Sequence, residues 1–188
     1  MIGAPQTSSL VSFSKDLVAD QTWLGFTGKF GAPAFSVGVG LGSAAAATTS
    51  VICNVGGFAA QRITAVLKFV AATTAGSEDI AVMARYGSLD VFNTYYARCF
   101  HGGAYLQKVV NGVFTTLDLI AFALPQNTPV TIVTECIGTS LKARFTAAGP
   151  GTVNLAAVDA TFANGGAGFT SINPSTIYCS SFLVEQLQ

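Results

Sequence analysis

The feature that most constrains this chain of 188 residues is the period of its side chains. Apolar and β-branched residues recur at every second position, in short runs broken by Gly, Asn and Pro. No stretch keeps the apolar period of a capped helix. Strands are expected at 50–55, 62–71, 79–86, 94–100, 104–110, 113–118, 129–137, 140–147, 166–170 and 177–185, with a weaker candidate at 37–41. The alanine run 44–47 is too short to nucleate a helix by itself. Many short strands joined by turns make an all-β chain, folded as a sandwich or a barrel.

Two hairpins can be specified to the residue. Asn111-Gly112 separates Lys108-Val109-Val110 from Val113-Phe114-Thr115. Asn-Gly suits a type I′ turn because both central residues need positive φ. That loop pairs Val110 with Val113 and Val109 with Phe114, and sets Tyr105, Gln107 and Val109 on the face of Phe114 and Thr116. Gly138-Thr139 is a Gly-first pair suited to type II′. Its register sets Glu135 against Lys142 and Val133 against Arg144, and gathers Ile132, Cys136, Leu141 and Phe145 on the other face. One face is charged and the other apolar, so a one-residue slip would bury the charges. The Glu135–Lys142 pair is expected to be solvated and to contribute at most about 1 kcal/mol.

Charge excludes several functions. Charged residues are 10% of the chain against roughly 25% in an average soluble protein. Nine basic residues balance nine acidic ones, so there is no basic excess to release counterions from a nucleic acid. The uncharged stretch 30–61 is interrupted by Gly, Pro33 and Asn54 and holds no apolar run near the ~18 residues of a spanning helix, so no membrane insertion is expected. No basic residue precedes an apolar run at the N-terminus, so no secretory signal is expected. With 51% hydrophobic residues, much of the surface is expected to be covered by other copies of the chain or by another partner.

Chemistry-bearing constellations are sparse. Cys53, Cys99, Cys136 and Cys179 form no Cys-x-x-Cys pair and His101 is the single histidine, so neither a metal site nor a cofactor is expected. Each cysteine lies in an apolar run and is expected to be a buried, reduced thiol. Glu78-Asp79 is the one adjacent acidic pair, and neighbours on a strand point to opposite faces, which does not suit glycoside hydrolysis. No Gly-x-Ser-x-Gly elbow and no phosphate loop occurs. Cys99 and His101 at i and i+2 read as a coincidence of a strand end. No catalytic residue is therefore assigned. Sugar binding stays open: Tyr86, Tyr95, Tyr96 and Tyr105 fall on consecutive strands, with Asn93 and Gln107 as hydrogen-bonding side chains. Tyr95, Tyr96, Tyr105 and Gln107 are the candidate glycan-binding residues. The competing reading puts the tyrosines in a core or a subunit interface. Near the N-terminus, Trp23 and Phe26 are candidate assembly anchors on a neighbouring subunit, or else they plug one end of the sandwich.

The succession of strand texts carries a resemblance. Arg62-Ile63-Thr64-Ala65-Val66-Leu67-Lys68-Phe69, Asp79-Ile80-Ala81-Val82-Met83-Ala84-Arg85-Tyr86 and Asn93-Thr94-Tyr95-Tyr96-Ala97-Arg98 lead into Ala104-Tyr105-Leu106-Gln107-Lys108-Val109-Val110-Asn111-Gly112-Val113. Ile177-Tyr178-Cys179-Ser180-Ser181-Phe182-Leu183-Val184-Glu185 closes the series. Together they resemble the concanavalin A-like, laminin-G-like jelly rolls of bacteriophage virion proteins, over about residues 50–187. The resemblance implies a two-sheet antiparallel jelly-roll sandwich with an extended N-terminal segment. Residues 1–25 would be an arm or first strand, and 26–188 the lectin-like sandwich. It does not imply a ligand, because this fold hosts lectins, hydrolases and inert domains alike. The acidic calcium cluster of many laminin-G-like domains has no counterpart here. The expected function is a non-enzymatic structural virion protein of a tailed phage: a capsid decoration, head fibre or tail component. It would be made in the host cytoplasm, assemble as a homo-oligomer such as a trimer, and bind the capsid or a fibre or tail protein. The alternative is a carbohydrate-binding module for attachment to host-surface glycan.

Overall fold

The computed structural model describes residues 9–17, 19, 26–30, 34–36, 40–43, 49–53, 57–72, 79–87, 93–100, 102–171 and 175–188. Fifteen strands and no helix occur among them. In chain order they are β1 (Ser9–Asp16), β2 (Phe26–Phe30), β3 (Ala34–Ser36), β4 (Gly40–Ser43), β5 (Thr49–Cys53), β6 (Ala60–Ala72), β7 (Asp79–Tyr86) and β8 (Thr94–Phe100). Then follow β9 (Gly103–Val110), β10 (Val113–Ala121), β11 (Pro129–Ile137), β12 (Ser140–Ala147), β13 (Gly151–Val158), β14 (Gly166–Ser171) and β15 (Ser175–Leu187).

The strands form two antiparallel sheets. One has eight strands, in the order β13-β12-β11-β6-β15-β4-β3, with β1 also pairing β15. The other has seven, in the order β10-β9-β8-β7-β14-β5-β2. Ser9 stands opposite Leu187, so residues 9–16 enter the sandwich as a strand. Residues 1–8, 18 and 20–25, Trp23 included, lie outside the described residues.

Turn chemistry sets both hairpins in the register read from the sequence. Asn111 and Gly112 have φ of 51° and 81°, and Val110 pairs Val113 while Val109 pairs Phe114. Gly138 has φ of 56°, and Glu135 pairs Lys142 while Val133 pairs Arg144. A bulge between Thr116 and Asp118 then shifts β10, so that Leu119 faces Tyr105. The Glu135 carboxylate makes its ion pair on its other side, accepting from Arg62 Nε on β6 at 2.7 Å rather than from Lys142. Arg62 stands directly opposite Glu135 and also reaches Glu185 at 3.6 Å, so its guanidinium bridges two acids where an ammonium would serve one.

The strand Gly151–Val158 carries no clear period in the sequence. It is an edge strand on which only Leu155 is buried, so burial imposes almost no alternation on it. The core lies between the sheets. Ile63, Ala65 and Leu67 of β6 and Ile132, Leu141 and Phe145 of the β11–β12 hairpin meet Ile80, Val82, Tyr95, Ala97 and Leu106 from the other sheet. Phe169 and Phe182 meet across the interior with centroids 5.9 Å apart. Each such side chain contributes about 1.5–3 kcal/mol by leaving water. All four cysteines are buried, and no disulfide occurs among the described residues.

One end of the sandwich is tied by a bulge. β14 pairs Gly166 with Tyr86 and Ala167 with Ala84, leaving Arg85 as the extra residue with φ of 53°. Its fully buried guanidinium donates to the carbonyls of Gly138 (2.7 Å), Phe162 (2.8 Å) and Ala59 (2.6 Å), joining three chain segments. Gly165 packs so closely on the Arg85 backbone that a Cβ there would overlap it.

Candidate functional site

Strand parity decides which tyrosines share the outer face of the sheet. On β8, Tyr95, Ala97 and Cys99 point between the sheets, whereas Thr94, Tyr96, Arg98 and Phe100 point outward. On β9 the outward set is Tyr105, Gln107 and Val109, since Gln107 pairs Tyr96 and Tyr105 pairs Arg98. β10 adds Phe114 and Thr116, and Leu119 beyond the bulge. The outer face of the seven-stranded sheet thus brings together Tyr96, Tyr105 and Gln107. Tyr95 is a correction: as the immediate neighbour of Tyr96 it points the other way, into the core.

Tyr95 has structural work there. Its hydroxyl donates to Asp159 Oδ1 at 2.7 Å and accepts from the Phe162 N–H at 3.1 Å. Burial pushes that hydroxyl up to about 12, with the Phe162 N–H opposing and Asp159 adding. Lys108 Nζ donates to Asp159 Oδ2 at 2.7 Å. Burial works against the Asp159 charge, but the bonds from Lys108, Thr161 and Tyr95 outweigh it and hold the carboxyl well below its ordinary range. Cys99, also inward, has its thiol pushed far up by burial and then by Asp79, the reverse of what a nucleophile needs.

The floor of the outer face is buried and charged. Arg98 Nε and Nη2 donate to Asp79 Oδ1 (2.8 Å) and Oδ2 (3.3 Å), with side chains only 7% and 0% exposed. The guanidinium lies 4.1 Å from the ring centre of Phe100 and 5.6 Å from that of Phe114. Tyr96 stacks on Phe114 at 6.0 Å and 15°. Gln107 is 93% buried, as its exposure of 7% gives; its Nε2 donates to Thr116 Oγ1 at 3.2 Å and its Oε1 has no protein partner. Turning the amide over only exchanges which head is left, so one head of this buried amide lies beneath the outer face without a partner.

Above that floor Phe114 (38%) and Leu119 (52%) are exposed, and Tyr105 and Phe100 are half-buried with centroids 6.4 Å apart. Aromatic faces over a polar, partly unsatisfied floor suit a ligand that combines C–H surfaces with hydroxyls. Asn93 is otherwise engaged, its Oδ1 accepting from the Asn111 N–H at 3.0 Å. Tyr86 belongs to a buried cluster with Met83, Tyr96 and Val109. Phe26 lies on β2, whose backbone pairs β5, and His101 lies outside the described residues.

Sequence reasoning passed over Arg98 and Asp79. The available signal was parity: Arg98 shares the face of Tyr96, and Asp79 stands on that same face of the neighbouring strand, opposite Phe100 and diagonal to Arg98.

No protein-family model matches the sequence, and no curated protein matches it. Solved structures do resemble the fold. A carbohydrate binding module, CBM66 from Bacillus subtilis, superposes with a TM-score of 0.73 at 18% identity, covering 86% of this chain and 96% of that one. The CBM2 module of the evolved Dit of Lactobacillus casei BL23 phage J-1 gives a TM-score of 0.65 at 12% identity, covering 97% and 98%. Peanut lectin gives 0.64 at 8% identity, covering 98% and 99%. At such identities the likeness shows the fold alone: this chain is a lectin-like jelly-roll sandwich.

Proposed function

We propose that this chain is a carbohydrate-binding module that holds a neutral glycan on the outer face of its seven-stranded sheet and does not turn it over. The observation that carries the reading is the unbonded amide head of buried Gln107, set beside Tyr96, Arg98 and the exposed ring of Phe114. A buried polar group left unsatisfied costs about 1–3 kcal/mol, and a ligand hydroxyl that displaced the side chains covering it would recover it. Stacking of a sugar on Phe114 and Tyr105 would supply the apolar contact. The likeness to CBM66 and peanut lectin supports the same reading. A glycan array tests it. Binding of neutral glycans by the wild type should fall at least about tenfold, some 1.4 kcal/mol, in Phe114→Ala and in Tyr105→Ala with melting temperatures tracked in parallel. An array without a neutral ligand, or binding that survives both substitutions, would sink the reading.

A second, compatible reading is a structural role in a phage virion, as a capsid decoration, head fibre or tail component working in several copies. It is favoured by the likeness to a module of a phage Dit and by edge strand β10, which exposes Val113, Phe114, Leu119 and Ile120. Quantitative mass spectrometry of purified particles from the source decides it. Complete absence from the particle would remove this reading and leave the glycan-binding one standing.

A further inference from the structure

The opposite outer face, that of the eight-stranded sheet, is built on different chemistry. A groove of about 810 Å³ runs across β15, β6, β11, β12 and β13, and β10 contributes Asp118 at its rim. That volume lies within the range of small-ligand sites. Six of the eighteen charged residues of the chain, nine basic plus nine acidic, line it. Such a concentration of charge is foreign to the core of a permanent subunit interface, from which charged side chains are depleted.

The charges alternate across the strands: Glu185, Arg62, Glu135 and Lys142 stand in one row on β15, β6, β11 and β12. Arg62 lies between Glu135 (2.7 Å) and Glu185 (3.6 Å) and holds both carboxylates in place. Asp118 is used within the fold, its oxygens accepting from the N–H groups of Leu119 (2.8 Å) and Ala156 (2.9 Å). On β12, next along the row, Lys142 and Arg144 project from the same face, both exposed, and neither has an ion-pair partner among the described residues, although Lys142 stands opposite Glu135. Asn154 stands opposite Arg144, and Thr131 lines the groove nearby. From β12 to β15 is three strand spacings, about 14 Å, the reach of two to three sugar rings.

We infer that this groove is a second binding site, for a neutral oligosaccharide that ends in a carboxylated sugar. The terminal carboxylate pairs with Lys142 and Arg144, charge-assisted and bidentate at the guanidinium. The neutral rings run over β11, β6 and β15, where the ordered carboxylates of Glu135 and Glu185 accept hydrogen bonds from hydroxyls. A ligand charged along its whole length is excluded, because its far end would meet those two acids. The site is on the other face from the one proposed above and stands or falls separately from it.

Calorimetric titration with two acidic probes, 3′-sialyllactose and glucuronosyl-xylobiose, tests the assignment, with lactose and xylotriose as their neutral counterparts. At least one acidic probe should bind with a Kd of about 1 mM or tighter, and its neutral counterpart at least about tenfold more weakly. The double variant Lys142→Ala/Arg144→Ala should lose the acidic probe by the same factor at an unchanged melting temperature, whereas Phe114→Ala should bind it as the wild type does. Failure of both acidic probes to bind, or equal binding by the double variant, would overturn the site. So would loss confined to Phe114→Ala.

Discussion

The two outer faces of this sandwich solve the same problem in opposite ways. Each sheet must present one face away from the core, and each places a guanidinium there between neighbouring strands. On the eight-stranded sheet Arg62 is partly exposed and bridges Glu135 and Glu185 in contact with water. On the seven-stranded sheet Arg98 and Asp79 are almost sealed, and both faces of β7 are buried along its whole length. Identical chemistry therefore carries different energy. A solvated pair contributes little because water competes for both partners, whereas a sealed pair makes each partner depend on the other.

Removal of one acid from each face is the strongest way to break that contrast. Asp79→Ala strands the Arg98 charge among Phe100, Phe114 and Tyr96, and should cost about 3–5 kcal/mol in urea unfolding. Glu135→Ala leaves Arg62 with Glu185 and solvent, and should cost less than about 1 kcal/mol. Equal losses would mean that the sealing of the Arg98 pair has no energetic meaning.

A smaller effect is read by pH, at the tie beneath the seven-stranded sheet. Asp159, between Tyr95 and Lys108, has its folded-state carboxyl held well below its ordinary value. A depressed acid stabilises the fold above its unfolded value, about pH 4, and that contribution drains away as pH falls toward the folded value. Asp159→Asn should lose about 2 kcal/mol at neutral pH, as for a hydrogen-bonded charge deprived of its partners. Its stability should then change less than that of the wild type as the pH is lowered from 5. A variant whose acid limb parallels the wild type would show that other carboxylates set the acid transition.

The same contrast explains what could be read in advance. On β11 and β12 one face is wet, so Glu135, Lys142 and Arg144 alternate with Cys136, Leu141 and Phe145, and register, turn and both faces are legible. On β7 and β8 burial on both sides erases the alternation. Tyr95 and Tyr96 then look equivalent, and nothing local says that one ties Asp159 while the other floors a candidate ligand face. Tyr105, Gln107 and Phe114 were legible as one surface because the Asn111-Gly112 turn sets their pairing. The ion pair of Arg98 was not, because it joins strands through a loop whose length does not disclose the register. Nor was the bulge at Arg85, which depends on Gly165, just before β14 and eighty residues away in sequence.

The smallest expected effect is also the most specific. Lys142 stands directly across from Glu135, the position at which an opposite charge would be expected to pair, yet the carboxylate is taken by Arg62. Lys142→Ala should therefore change stability by no more than about 0.5 kcal/mol, as for an exposed side chain that nothing in the fold uses. The double-mutant cycle of Lys142→Ala with Glu135→Ala should likewise show coupling near zero. A coupling of about 1 kcal/mol would mean that Lys142 shares Glu135 with Arg62. The ammonium would then be committed to the fold, and the groove would keep Arg144 as its one unclaimed cation. Near-zero coupling leaves two adjacent cations that the fold does not need, so both stay available to the carboxylated ligand proposed above.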